Sequence, residues 1–387
     1  MCVTDGTMTT RPHAPRRTKK IKGMLPVGTF ENPSALGKLA ALNPLSGSAA
    51  TASSHGRKGG RTIASSGGKS TTAERIGGDF TPTANPEWLK QRDGLLDTVI
   101  KRTAAQMEKL PKPPIKVTLP DGKVMDGTAW VTSPLDIATG ISKGLAQATC
   151  VASVRYSKRL EGIATNMVAV GTNPDGDADE GPADWELWDI NRPLEGDCEL
   201  QLHKFDDPRG KEVFWHSSAH ILGEALEGLY GARLTHGPPT EGGFFYDSYM
   251  GTTGVSGDMT KELEKKAKAI ADAKQEYERV VVTKEECLQL FQSNPFKVAM
   301  ISSKLPDGSS TTVYRCGNFF DLCKGPHLPN TSRVKAFAVT KSSSALWLGK
   351  AGNDELQRVY GITFPDKKEM AEWKTVQEEA AKRDHRV

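Results

Sequence analysis

Only six cysteines are spread over 387 residues, and 7% of the chain is aromatic. Thiols at positions 2, 150, 198, 287, 316 and 323 are too sparse for a disulfide framework, so reduced cysteines in a cytosol-like compartment are expected. Long hydrophobic runs are missing. No stretch approaches the about 18 apolar residues of a spanning helix, and the N-terminus lacks the apolar run of a secretory signal. No glycine-rich phosphate cradle of GxGxxG or P-loop spacing occurs, which argues against a nucleotide triphosphate site of either kind. Acidic residues are scarce in one region alone. Residues 1–79 hold 12 Lys+Arg against 4 Asp+Glu, whereas the remainder holds 39 against 43. The basic excess therefore lies entirely in the tail. That tail has one aromatic, Phe30, and is otherwise rich in Ser, Gly, Ala and Thr, too little apolar material for a core. A disordered basic tail over 1–84 is expected. Its cluster Arg16, Arg17, Lys19, Lys20 and Lys22 suits a phosphate-contacting arm, a nuclear-type signal, an organellar transit peptide or a solvated segment with no partner.

What the rest contains is enough for two ordered modules, in keeping with about 150 residues per domain. Asn85 and Pro86 read as a helix start, and Trp88, Leu95, Leu96, Val99, Ile100, Met107 and Leu110 follow at helical spacing. Pro111, Pro113 and Pro114 end that helix, so it is placed at 85–112. Ile115–Leu119, a turn at Asp121–Gly122 and Lys123–Met125 read as strand, turn, strand. A short helix from Pro134 and a strand from Cys150 complete a small β-grasp module over 113–157. Residues 171–184 carry five acids and no base, so 158–184 is expected to be a flexible acidic insert. From Trp185 the pattern is α+β, with helices at 215–230 and 258–279 and a short strand at Val280–Val282. A capping box follows at Thr283–Glu286, a helix starts at Asn294–Pro295, strands are expected at 334–348 and a charged helix at 366–386.

Two segments carry chemistry. His216 and His220 stand four apart, so on a helix both imidazoles leave one face. Asp321, Cys323 and His327 flank Gly325 and Pro326, a turn that can bring thiol and imidazole toward one point. Three histidines and a cysteine form a set that zinc accepts. The same groups suit a histidine-activated cysteine nucleophile, or histidines that activate water directly. Spacing leaves all three open.

The strings HSSAHILGEALEGLYG, GPPTEGGFFYD, YRCGNFFDLCKGPHLPNT and LQRVYGITFPDKKEMAEW closely resemble the N-terminal half of threonyl-tRNA synthetases. PPIKVTLPDGKVMDGTAW with PLDIATGISKGLA is similar to that family's TGS domain, a β-grasp, and WDINRPLEGDCELQL looks like its bridge to the editing domain in the eukaryotic cytosolic type. The resemblance implies an α+β fold: a TGS-like domain, then a threonyl/alanyl-type editing domain over 185–374. It implies hydrolysis of serine wrongly attached to threonine tRNA, so that tRNA is the expected partner, in the cytoplasm or, with a transit peptide, in an organelle. His216, His220, Cys323, His327, Asp321, Lys297 and Tyr246 match the pocket positions, and the pocket is expected to work without a metal. The related alanyl-type domains use the same four groups as zinc ligands, which keeps His216, His220, Cys323 and His327 as the alternative metal set. Lys297, in the first turn of the helix after Asn294, is expected to have a lowered pKa from the helix dipole. A segment like 375–387 leads, in the resembled enzymes, into the aminoacylation core with its ATP, zinc and dimer interface. The sequence stops at Val387, so this chain alone is not expected to charge tRNA.

Overall fold

The computed structural model of the chain describes residues 75–162, 166–170 and 184–383. Most of the expected basic tail lies outside the described residues. In chain order the elements are α1 (Trp88–Glu108), β1 (Pro114–Thr118), β2 (Val124–Thr128), α2 (Pro134–Ile141), α3 (Lys143–Ala148), β3 (Thr149–Arg159), β4 (Glu186–Trp188) and β5 (Gly196–Lys204). They continue with α4 (Pro208–Tyr230), β6 (Arg233–Leu234), β7 (Pro239–Thr240), β8 (Gly243–Tyr249), α5 (Gly257–Asp272), β9 (Tyr277–Thr283), α6 (Lys284–Leu290) and α7 (Pro295–Lys304). β10 (Ser310–Cys316), β11 (Phe319–Leu322), β12 (Ala336–Leu346), β13 (Glu355–Phe364) and α8 (Lys367–Arg383) complete them.

The first sheet runs β2-β1-β5-β3-β4. β1 and β2 form the expected hairpin, and β1 lies parallel to β5, with Val117 opposite Cys198. A parallel pair needs a crossover, and α2, opened by a Ser133–Asp136 capping box, lies on that crossover. Ile115, Val117, Ile137, Val154, Trp188, Ile190 and Leu200 fill the core beneath it. This β-grasp extends beyond its expected end at 157. β4 and β5, assigned from sequence to the following domain, are its edge and its parallel central strand, so the sheet closes at Lys204. The acidic run before β4 concealed the return of the chain to the same sheet.

Part of the expected flexible insert is also packed. Met167 bridges Ser310, and Val170 is buried beside Val280 and Val313. Asn85 is not a helix cap either. Its φ is +46° and its N–H donates to the Gly228 carbonyl, while α1 starts two residues after Pro86. The expected helix at 258–279 ends at Asp272 because Tyr277–Thr283 pairs along its whole length with β10.

The second module wraps two sheets around α4, one of order β11-β10-β9 and one of order β12-β13-β8-β6, with β7 on β8. Asp207 caps α4, Pro208 opens it, and Gly231 ends it in the left-handed region. Its buried residues surround the helix, so α4 is the core element that both sheets share. α1 joins the modules: Leu96 and Val99 pack beside Val280 and Leu290, whereas Met107 and Leu110 pack on the β-grasp core.

Residues 75–83, expected within the tail, form a fixed strap. Backbone N–H groups of Ile76 and Gly77 donate to the Asp354 carboxylate at 2.6 and 2.8 Å, and Tyr249 Oη donates to the Gly78 carbonyl at 2.5 Å. Ile76 packs against the cluster of Phe296, Met300, Trp347 and Leu356.

Candidate active site

The i, i+4 histidines lie where α4 faces the loop after β11. Cys323 Sγ is 3.3 Å from His216 Nε2 and 3.3 Å from His327 Nε2. The His327 ring lies 4.4 Å from that of His216 and 4.2 Å from that of His220, between centroids. One potential ligand atom from each of the four side chains lies within 4.8 Å of the others. His220, Cys323 and His327 are buried; His216 is partly exposed and marks the mouth.

Ser217 fixes the state of His327. Its hydroxyl donates to the Val213 carbonyl at 2.8 Å and accepts from the Leu328 N–H at 2.9 Å. With that hydrogen committed, the contact of 3.0 Å to His327 Nδ1 assigns Nδ1 as the N–H donor. The lone pair of Nε2 is thereby aimed at Cys323 and the pocket. Tyr277 stacks on the His327 ring at 5.0 Å and 10°, and Tyr314 meets it edge-on at 4.5 Å. Gly325 makes room for this arrangement. Its φ is +71°, and a Cβ there would fall 2.1 Å from Tyr314 Oη. Gly325→Ala is expected to destabilise the fold by about 2–4 kcal/mol, since strain and overpacking coincide. Thermal unfolding checks this.

Facing the imidazoles is a charged set. Asn294 caps α7 with bonds to the N–H groups of Phe296 and Lys297, which puts Lys297 in the first turn as expected. Lys297 Nζ lies 2.5 Å from Asp321 Oδ1, both side chains almost wholly buried. Tyr246 Oη donates to Asp321 Oδ2, and the Leu322 N–H donates to Oδ1 at 2.8 Å. The Tyr246 ring lies close against Gly237, where a Cβ would come 2.4 Å from it. Asp321 thus orders a lysine and a tyrosine at once.

Burial governs the protonation states. Desolvation, joined by the Lys297 charge for His220 and partly opposed by the Asp321 carboxylate for His216, lowers both rings to about 3, and burial lowers His327 well below its ordinary value. All three imidazoles are neutral at physiological pH. Burial likewise pushes the Cys323 thiol far up, so it is protonated and a poor nucleophile. Both ring nitrogens of the buried His220 have no hydrogen-bond partner. A buried imidazole so left is costly in a closed core and ordinary in a pocket that takes a polar guest.

All seven residues singled out from sequence lie around this centre. Sequence reasoning missed the groups that hold them: Ser217, Tyr277, Tyr314 and Asp189. Ser217, Tyr314 and Asp189 stand inside the strings HSSAHILGEALEGLYG, YRCGNFFDLCKGPHLPNT and WDINRPLEGDCELQL, and Tyr277 lies outside them. A separate hydrogen-bonded chain, Ser153 to His203 to Asp207, has contacts of 2.8 and 3.1 Å. Ser153 is 2% exposed, so this chain braces the β-grasp sheet and reaches no substrate.

Residues 115–204 match the family model of the TGS domain, and residues 311–360 match that of the threonyl and alanyl tRNA synthetase second additional domain. The fold and the pocket therefore define a β-grasp TGS domain joined to an editing-type domain. Among curated relatives, a probable cytoplasmic threonine–tRNA ligase 1 of Dictyostelium discoideum is 46% identical over 301 residues, 78% of this chain and 38% of the relative. The cytoplasmic threonine–tRNA ligase of Caenorhabditis elegans is 43% identical over 78% of this chain and 37% of its own length. A mitochondrial threonine–tRNA ligase 1 of Arabidopsis thaliana is 44% identical over 77% and 38%. The chain carries the N-terminal TGS and editing domains of the threonyl-tRNA synthetase family. It spans just over a third of the length of the relatives it matches. No helix among the described residues is long and apolar enough to cross a membrane.

Proposed function

We propose that this chain binds threonine tRNA and hydrolyses serine wrongly esterified to it, within a protein whose wider activity is threonine–tRNA ligation. Threonine and serine differ by one methyl, worth about 1–3 kcal/mol or about 10–200-fold in selection, so a second pocket that accepts only the smaller residue has a physical purpose. The observation that carries the reading is a wall of three neutral imidazoles and a protonated thiol opposite Lys297, Asp321 and Tyr246.

In the mechanism, a water in the mouth is oriented by the His216 lone pair and attacks the ester carbonyl carbon. The ester C–O bond breaks, serine leaves as the acid, and the terminal ribose oxygen takes the proton. Lys297 supplies positive charge where the developing oxyanion or ribose oxygen needs it. Asp321 receives the serine ammonium through the acceptor capacity that the Tyr246 hydroxyl leaves free on Oδ2. His220, His327 and Cys323 form the surface that excludes the threonine methyl. The purified chain is expected to deacylate serine-charged threonine tRNA and largely spare the threonine-charged form; equal rates on both would end the editing assignment.

The four-ligand set also fits zinc, whose ligands at about 2.0–2.3 Å suit atoms this close. A zinc held by His216, His220, Cys323 and His327 would polarise a bound water. One feature favours the metal-free reading. Lys297 acts as a cation on His220 and Lys324 on His216, which opposes a further positive charge. Protein purified without added metal is expected to contain far less than one zinc per chain, and a chelator should leave deacylation intact. Cys323→Ala should cost less activity than any change at Lys297. Stoichiometric zinc, with activity lost on chelation and restored by metal, would transfer the assignment to an alanyl-type mechanism. Two relatives named as cytoplasmic support a cytoplasmic location, and the one named as mitochondrial keeps an organellar one in view.

A further inference from the structure

Asp189 belongs to the β-grasp domain but is aimed at the editing pocket. It follows Trp188, the last residue of β4, and precedes Ile190; both neighbours are buried in the β-grasp core at 1% and 0% exposure. The Ile190 carbonyl accepts from the Leu135 N–H at the start of α2, and Trp188 Nε1 donates to the Arg192 carbonyl. This anchored turn presents the Asp189 carboxylate, itself 4% exposed, to the other domain. Oδ1 accepts from the His327 backbone N–H at 2.8 Å, and Oδ2 accepts from Tyr314 Oη at 2.7 Å. Tyr314 is the ring that meets His327 edge-on.

Resting on the editing function proposed above, we infer that Asp189 is a positioning residue through which the TGS domain sets His327 in the hydrolytic pocket. The editing domain alone supplies every group of the wall but not the bond that fixes where the His327 backbone sits. Hydrogen bonds to a buried carboxylate are stronger than neutral ones, and the turn at 325–327 has no other side-chain acceptor on the His327 N–H among the described residues. A drift of about 1 Å in a pocket group costs about 100-fold in rate.

The test uses the full chain carrying Asp189→Ala, Asp189→Asn or Asp189→Glu, with Glu199→Gln on the exposed face of the same sheet as control. Deacylation of serine-charged tRNA is followed over substrate concentration. Asp189→Ala is expected to lower kcat about 10–100-fold with KM within twofold. Asp189→Asn should recover most of kcat, because its amide oxygen still accepts from His327 and its amide N–H can serve Tyr314. If the alanine variant fails to fold, Asp189→Glu keeps the charge and displaces the acceptor by a methylene; a folded glutamate variant with the parental kcat overturns the inference. An NMR signal of the His327 ring Cε1–H reads the position without reference to activity. It should move in Asp189→Ala and stay put in Glu199→Gln, and an unmoved signal overturns the inference. Absence of deacylation in the parent chain defeats the functional reading instead, and the ring signal still decides the positioning.

Discussion

Lys297→Met is expected to lower deacylation of serine-charged tRNA by about 100–1,000-fold, the largest loss for any single change in the pocket. The same change removes one partner of a buried pair whose side chains are 1% and 2% exposed. The stranded Asp321 carboxylate costs about 3–5 kcal/mol of stability. Those two losses separate in the double variant Lys297→Met with Asp321→Asn, which removes both charges and leaves no uncompensated one. Its thermal midpoint should return most of the way to the parental value while deacylation stays lost. Single-turnover deacylation and thermal unfolding on the same samples make the comparison. Activity within threefold of the parent in the Lys297 single variant would remove the lysine from the chemistry.

The folded chain is also expected to lose stability steeply between about pH 6.5 and pH 4.5. In the unfolded chain imidazoles protonate near their ordinary value, about 6.5. In the folded chain His216 and His220 stay neutral down to about 3, His236 to about 4, and His327 lower than its ordinary value by a wide margin. Across that window the unfolded state binds more protons, so each decrement of pH favours unfolding, by about 1.4 kcal/mol per unit for each fully buried imidazole. The partly exposed His216 and His236 contribute less. Glu224 acts in the opposite sense. Burial raises its carboxyl to about 7, so between about pH 4.5 and 7 the folded state holds its proton and stability falls as pH rises. Glu227 is raised as well, against the opposing pull of Arg92. Four imidazoles outweigh two carboxyls, and acid destabilises. Urea midpoints from pH 7.5 to 5 test this, and His220→Asn should flatten the slope. A midpoint independent of pH would mean that these rings are not held neutral.

How much of this was legible in the sequence depended on the range of the interaction. Local chemistry was readable: the helix start at Pro134, the caps at Thr283 and Asn294, the hairpin glycine, and the i, i+4 histidines all act within a few residues. The pocket's membership was readable because its residue types are rare together. What escaped were pairings across long sequence separations. Nothing in Gly196–Lys204 announces that its parallel partner is β1, some 80 positions earlier, so the β-grasp was ended too soon. Asn85 and Pro86 carry the signature of a cap, yet a bond to Gly228 governs that turn. Val170 follows no periodicity, and its burial comes from the sheet of β9 and β10. The expected dipole effect on Lys297 placed the residue correctly in α7, but its immediate neighbour in space is Asp321, which no helix-local argument supplies.

The strap at 75–83 changes where this region can safely begin. Ile76 packs on the cluster that holds Phe296, the residue just before Lys297, and the Asp354 carboxylate accepts from two strap amides. A transcript start, splice junction or protease cut between residues 76 and 84 would leave every pocket side chain in the product. It would nonetheless release the outer support of the helix that carries Lys297 and strip a buried carboxylate of its donors. Such a trimmed chain would have the sequence of an editing domain and a slackened lysine, so for this region residues 76–78 count toward function although they precede the first residue of α1.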